Sequence, residues 1–169
     1  MAVTQTETRK TKAAGRASGP DAIKLLKDDH EQVETWFDEF EETNSGSKKQ
    51  KLANQICLTL RVHTQIEEEI FYPACREAGI EEDMMDEADV EHDGAKKLIE
   101  EIEAGKAGDD HWDAKVKVLG EMIKHHVKEE EQRGGMFAKA KQADLDLKEL
   151  GAEMKMRKDE LMKEMKRRQ

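Results

Sequence analysis

The sequence predicts an all-α protein: an up-down-up-down four-helix bundle with a disordered N-terminal tail and an additional C-terminal helix. Three observations carry this. Glu, Lys, Leu, Met and Ala, all strong helix formers, dominate a 169-residue chain with two prolines, Pro20 and Pro73. Apolar residues recur in steps of three and four over four separate stretches, which is the period of one helix face. Polar or glycine-bearing breaks at residues 43–47, 78–79 and 105–110 separate those stretches.

Taken in order, residues 1–20 have no hydrophobic period and are expected to be a disordered basic tail. Residues 21–138 are expected to form the bundle, and residues 139–169 a helical extension. Ser18, Gly19, Pro20 and Asp21 mark a helix start. The first helix then presents Ile23, Leu26, His30, Val33, Phe37 and Phe40 on one face. The second presents Leu52, Ile56, Leu60, His63, Glu67 and Phe71, and Pro73 is expected to kink or end it. The third presents Met85, Ala88, His92, Ala95, Ile99 and Ile102. The fourth presents Trp112, Val116, Leu119, Ile123, His126 and Glu130, until Gly134 and Gly135 weaken or end it. Leu150, Met154, Leu161 and Met165 then make a thin stripe on a fifth helix, either packed on the bundle or projecting from it.

Composition excludes several function classes. No run of eighteen apolar residues exists, so no membrane-spanning helix is expected. The first twenty residues lack the apolar segment of a secretory signal. Cys57 and Cys75 are too few for a disulfide framework, and both are expected to stay reduced in a cytoplasmic protein. The net charge of −10 divides unevenly: residues 1–20 and 139–169 each carry +3, and residues 21–138 carry −16. So acidic a core argues against nucleic acid as the main partner. The basic tails are read as solubilising, and no protein partner is assigned to them.

Four stripes built for burial each contain one histidine. A single buried imidazole is more often a hydrogen-bonded core residue than a ligand. Four together are different, because their heights agree. In antiparallel neighbours, residues at one height lie equally far from the connecting turn. The midpoint of His30 and His63 falls between Gly46 and Ser47, that of His63 and His92 between Glu77 and Ala78, and that of His92 and His126 at Asp109. Each midpoint is in or beside a predicted turn, so one layer of the bundle holds all four rings.

Glu67 follows His63, and Glu130 follows His126, by one turn on the same face. Both lie in acidic runs that would otherwise read as solvated surface. His125 and Glu129 repeat the spacing, but the apolar stripe favours His126 and Glu130. The chain thus reads H…HxxxE twice, a twofold pseudo-repeat. Candidate metal ligands are therefore His30, His63, Glu67, His92, His126 and Glu130. Four imidazoles and two carboxylates suit a pair of divalent metals, each taking two histidines with both glutamates bridging. Mixed nitrogen and oxygen ligation without thiolate suits iron or manganese better than structural zinc. Four protein ligands per metal leave positions for water, an oxo bridge or a small exogenous ligand.

At these residues the chain resembles the hemerythrin-like, HHE cation-binding family of bacterial type. The matching segments are LLKDDHEQVETWFDEF, RVHTQIEEEIFYPACRE, EADVEHDGAKKLIEEI and IKHHVKEEEQRGGMFAKAK, over roughly residues 21–140. The resemblance implies a four-helix bundle holding two non-haem irons, oxo- or hydroxo-bridged when oxidised, on the same six residues. It implies binding of dioxygen or a related small ligand, nitric oxide or peroxide, in sensing or in oxidative or nitrosative stress protection. Turnover of peroxide or nitric oxide, and iron storage or buffering, are the alternatives. The chain departs from the invertebrate oxygen carriers at Lys96, where they carry a further histidine, and in its final HxxxE pair, where theirs is a histidine and a more distant aspartate. That departure argues against plain reversible oxygen carriage. Residues 131–135 are also longer than the matching stretch after Glu67, so the fourth helix is expected to bulge there.

Tyr72 is read first as a packing residue at a helix end, with lining the site or donating a hydrogen bond to a bound ligand as the alternative. Cys57 is read as structural, His111 as an exposed neighbour of a helix cap, and Met84, Met85, Met122 and Met136 as core fillers.

Overall fold

The computed structural model describes residues 19–169. Residues 1–18, which hold most of the expected tail, lie outside the described residues. The described chain is helical throughout, with no strand.

Helix α1 (Ala22–Glu42) starts where Asp21 accepts a hydrogen bond from the backbone N–H of Lys24, 2.9 Å away. This satisfies one of the amides that a helix start leaves without a partner. Ser45 does the same for α2 (Gly46–Ile66) through the N–H of Lys48. The second rod of the bundle continues from α2 through a π-helical turn, Glu67–Phe71, into α3 (Tyr72–Glu77), with Pro73 in the first turn of α3, where its missing N–H is harmless. Helices α4 (Glu82–Ala104) and α5 (Trp112–Glu131) complete the bundle. His111 precedes α5 in the left-handed region at φ 62°. Helix α1 packs against α2 and α5, and α4 packs against α2 and α5, so the four rods close a ring of antiparallel neighbours.

The expected bulge in the fourth helix is not there. Helix α5 stops at Glu131, and Gly134, at φ 75°, turns the chain into α6 (Met136–Gln142). Gly135 sits so close to the carbonyls of Glu129, Glu130 and Gln132 that a Cβ would fall 2.5–3.0 Å from them. The wide turn is in the second rod instead. The C-terminal helix α7 (Leu147–Arg167) packs on α1, α2 and the π turn rather than projecting. It buries Met154 and Leu161, and covers a second stripe of α1 formed by Ala22, Leu25 and Asp29.

The core has two apolar halves. One is built around Val33, Ile56, Leu60, Ile99, Trp112 and Leu119, the other around Leu26, Ile66, Phe71, Met85, Met136 and Met154. Between them lies a layer of buried ionisable side chains: His30, His63, Glu67, His92, His126 and Glu130.

A candidate metal centre between two halves of the core

The structure brings all six candidate residues together. Each is at most 5% exposed, and Glu67 is fully buried. Placing the last pair on His126 and Glu130 agrees with the stripe, because the His125 side chain is 59% exposed.

The six divide into two groups that share their carboxylates. In the first, His30 Nε2 and His63 Nε2 are 3.2 Å apart, with Glu67 Oε1 3.2 Å from His63 and Glu130 Oε2 3.3 Å from His30. In the second, His92 Nε2 and His126 Nε2 are 3.1 Å apart, with Glu67 Oε2 3.1 Å from His92 and Glu130 Oε1 3.2 Å from His126. Each glutamate therefore sends one oxygen to each group. Ligands at about 2.1 Å from one metal and at right angles lie about 3 Å apart, which is the spacing found here. Glu67 Oε1 and Glu130 Oε2 are buried without any hydrogen-bond donor. An orphaned carboxylate oxygen is costly in an apolar interior, and a cation beside it removes the cost. The donor set and the orphaned oxygens both fit a metal pair.

The four rings are held from behind. A carboxylate oxygen lies 2.9–3.1 Å from every Nδ1: Glu131 for His30, Asp29 for His63, Glu68 for His92 and Glu91 for His126. A carboxylate can only accept, so each Nδ1 carries the proton and each Nε2 faces the centre. The supporting residues follow the pseudo-repeat. Asp29 and Glu91 each precede a ring in sequence yet serve the ring of the neighbouring helix. Glu68 and Glu131 each follow a central glutamate and serve the ring across from it. Adjacency to the six was the signal available in the sequence, but Glu68 and Glu131 are hidden in acidic runs, and Asp29 and Glu91 read as ordinary surface acids.

Without metal, the electrostatics are those of tightly paired ions. Burial works against charge on His63, but Glu67 and Asp29 outweigh it and push the ring up to about 10. His92 and His126 also rise against burial, chiefly through Glu67 and Glu68 for the first and Glu130 for the second. Glu130 is held well below the usual carboxylate range despite burial, because His126 and His30 face it.

Tyr72 joins the second group. Its hydroxyl donates to Glu130 Oε1 at 2.8 Å and lies 3.2 Å from His92 Nε2 and 3.4 Å from His126 Nε2. Its hydroxyl thus faces the site, which is the alternative reading of Tyr72 and not the packing one put first. The π turn is the reason. The N–H of Tyr72 bonds to the carbonyl of Glu67, five residues back, so one extra residue in the turn returns Tyr72 to the face of Glu67. A three-four periodicity cannot show that. Burial and the two central glutamates push the phenol well above its ordinary value, so it stays a donor. Phe137 of α6 was missed in the sequence. It stacks on the His30 ring at 5.8 Å with the planes 5° apart. Cys57 and Cys75 are buried free thiols, each pushed up to about 12 by burial, as inert structural cysteines are.

A cavity of about 340 Å³ lies on the side of the layer opposite Glu67, Glu130 and Tyr72. All four histidines line it, together with the apolar side chains of Val33, Leu60, Ala95 and Ile123 and the polar Thr59 and Thr64, and it reaches the surface beside Val118, Glu121 and His125.

Fold and site define a helical bundle with a buried histidine–glutamate centre suited to cations. Residues 21–140 match the Hemerythrin HHE cation binding domain, and the chain belongs to that family, whose domain binds metal cations. The crystal structure of a hemerythrin HHE cation binding domain-containing protein from Mycobacterium kansasii shares the fold, with a TM-score of 0.70 at 21% identity over 86% of this chain and 90% of that one. A DNA nickase of Nostoc sp. is 31% identical over 107 residues, which are 63% of this chain but only 30% of the nickase. No helix among the described residues is long and apolar enough to cross a membrane.

Proposed function

We propose that this protein holds two non-haem irons on His30, His63, Glu67, His92, His126 and Glu130, and that it binds dioxygen or a related small ligand such as nitric oxide or peroxide. Residues 21–138 form the metal-holding bundle in this reading, and residues 139–169 are an extension of it. The observation that carries the proposal is the apolar cavity that touches all four rings. A small molecule with little hydration to lose partitions into such a space. Iron held on these six residues would supply electrons to the ligand. The chain's own part is to hold the four rings and keep bulk water away, while Tyr72 holds Glu130 from the other side of the layer.

Sensing or protection against oxidative or nitrosative stress suits such a site better than bulk carriage. The phenol of Tyr72, kept protonated beside the ligating atoms, also favours a second reading in which peroxide is turned over.

Azide is the practical probe. Added to the oxidised iron protein, it is expected to produce a new visible absorption band. Ala95→Leu narrows the cavity without touching a candidate ligand, and should slow azide entry about tenfold while leaving the iron content unchanged. Azide binding at an unchanged rate would remove the cavity from the ligand's path. Oxygen release from added peroxide, lost in Tyr72→Phe, would favour the turnover reading over simple binding.

A further inference from the structure

We propose that Lys158, on the C-terminal helix α7, is a positioning residue for the His30/His63 half of the metal centre: it fixes Asp29, and Asp29 fixes the His63 ring. The inference rests on the reading of the six buried residues as metal ligands.

Asp29 divides its carboxylate between two partners. Oδ2 lies 3.1 Å from His63 Nδ1, and Oδ1 accepts from the Lys158 ammonium. The acid is 7% exposed on the stripe of α1 that α7 covers, so Lys158 reaches it as α7 closes over it. With Oδ1 pinned, the carboxylate cannot rotate, and Oδ2 stays on the ring. His63 Nε2 then faces Glu67 Oε1 at 3.2 Å. A carboxylate that orients a ligating imidazole works better when it is itself held.

The second half of the centre has the same device from a different source. His92 Nδ1 is met by Glu68, and Glu68 is held by Lys96 at 2.6 and 2.7 Å. Lys96 belongs to α4, within the family domain. Lys158 belongs to α7, which lies beyond the residues that match the family. The added helix thus supplies to His63 what the bundle itself supplies to His92. Helix α7 is held against α1 and the π turn at two points. Gly151 abuts the backbone of Pro20, Asp21 and Ala22, and Arg157 makes a two-point ion pair with Glu69 on the π turn at 2.7 and 3.1 Å.

A positioning role differs from a docking role in what it affects. Arg157 docks α7 without touching any ring or supporting carboxylate, so Arg157→Gln is the control for docking alone. The metal-free protein would be titrated anaerobically with cobalt(II), which reports each equivalent by its visible absorption, and melting temperatures would be recorded in parallel. Wild type should take two equivalents. Lys158→Met keeps the stem and removes the charge. It should take one equivalent as wild type does and the second about ten- to a hundredfold more weakly. Lys158→Arg should restore most of that loss, and Arg157→Gln should bind both as wild type does even where it melts lower. Wild-type affinity for both equivalents in Lys158→Met would overturn the proposal, as would an equal loss of affinity in Arg157→Gln. A wild-type chain that never takes a second equivalent would overturn the metal pair itself.

Discussion

Replacing Glu67 with glutamine is expected to remove most of the stability that metal confers, while the metal-free protein melts almost unchanged. Metal that binds only the folded chain stabilises it by RT ln(1 + [L]/Kd), about 2.7 kcal/mol at a hundredfold excess over Kd. For a domain of this size that corresponds to roughly 5–10 °C in Tm. Glu67 gives an oxygen to each half of the centre, so glutamine weakens both. In the metal-free protein the same carboxylate is fully buried and faces Glu130, yet His63 and His92 hold it below the usual carboxylate range. Losing its charge relieves that burial and repulsion but also removes its pairing with His63 and His92, which can shed protons in answer, so the two effects largely cancel.

The metal-dependent gap should also widen with pH. His63 is raised to about 10 in the folded metal-free chain, against about 6.5 unfolded. Its protonated form therefore stabilises that state fully below about 6.5, and this contribution is lost as pH rises toward 10. Metal needs the neutral ring, so protons compete with it at low pH. Melts of wild type and Glu67→Gln, each with and without iron under anaerobic conditions at pH 6 and 8, check both expectations. Equal destabilisation by the substitution with and without iron would make Glu67 a structural residue.

The second large effect is expected at Gly151. A Cβ there would meet Pro20 O at 2.5 Å, Ala22 N at 2.6 Å and Asp21 C at 2.6 Å, all of them backbone atoms that cannot swing aside. Alanine in a helix interior normally gains up to about 1 kcal/mol over glycine. Here the clash should win, since overpacking costs about 1–3 kcal/mol and lifting α7 re-exposes part of Met154 and Leu161, each contributing about 1.5–3 kcal/mol when buried. Gly151→Ala should fall by about 3 kcal/mol in net stability and become sensitive to protease near residues 143–146, between α6 and α7. A variant more stable than wild type would show that α7 does not rest on the start of α1 as closely as described.

How much of this was legible in the sequence depends on which face of a helix is asked about. The stripe Ile23, Leu26, His30, Val33 announced the core because it repeats in steps of three and four, and the turn midpoints put the rings at one height. The other face of α1, with Ala22, Leu25 and Asp29, is too short and too mixed with charge to announce α7. Asp29 beside Asp28 reads as solvated surface until α7 covers it. Tyr72 was put second as a site residue because the π turn shifts the register by one residue, and hydrophobic patterning does not encode that shift. Phe137 escaped because the glycine turn after Glu131, not a periodic stripe, carries it back beneath His30.

Metal content of the native protein, measured with its absorption spectrum before and after reduction, tests the two-iron centre most directly. Two irons per chain, with colour that bleaches on reduction and returns in air, is the expected result. A reproducible single zinc in a colourless chain would contradict it.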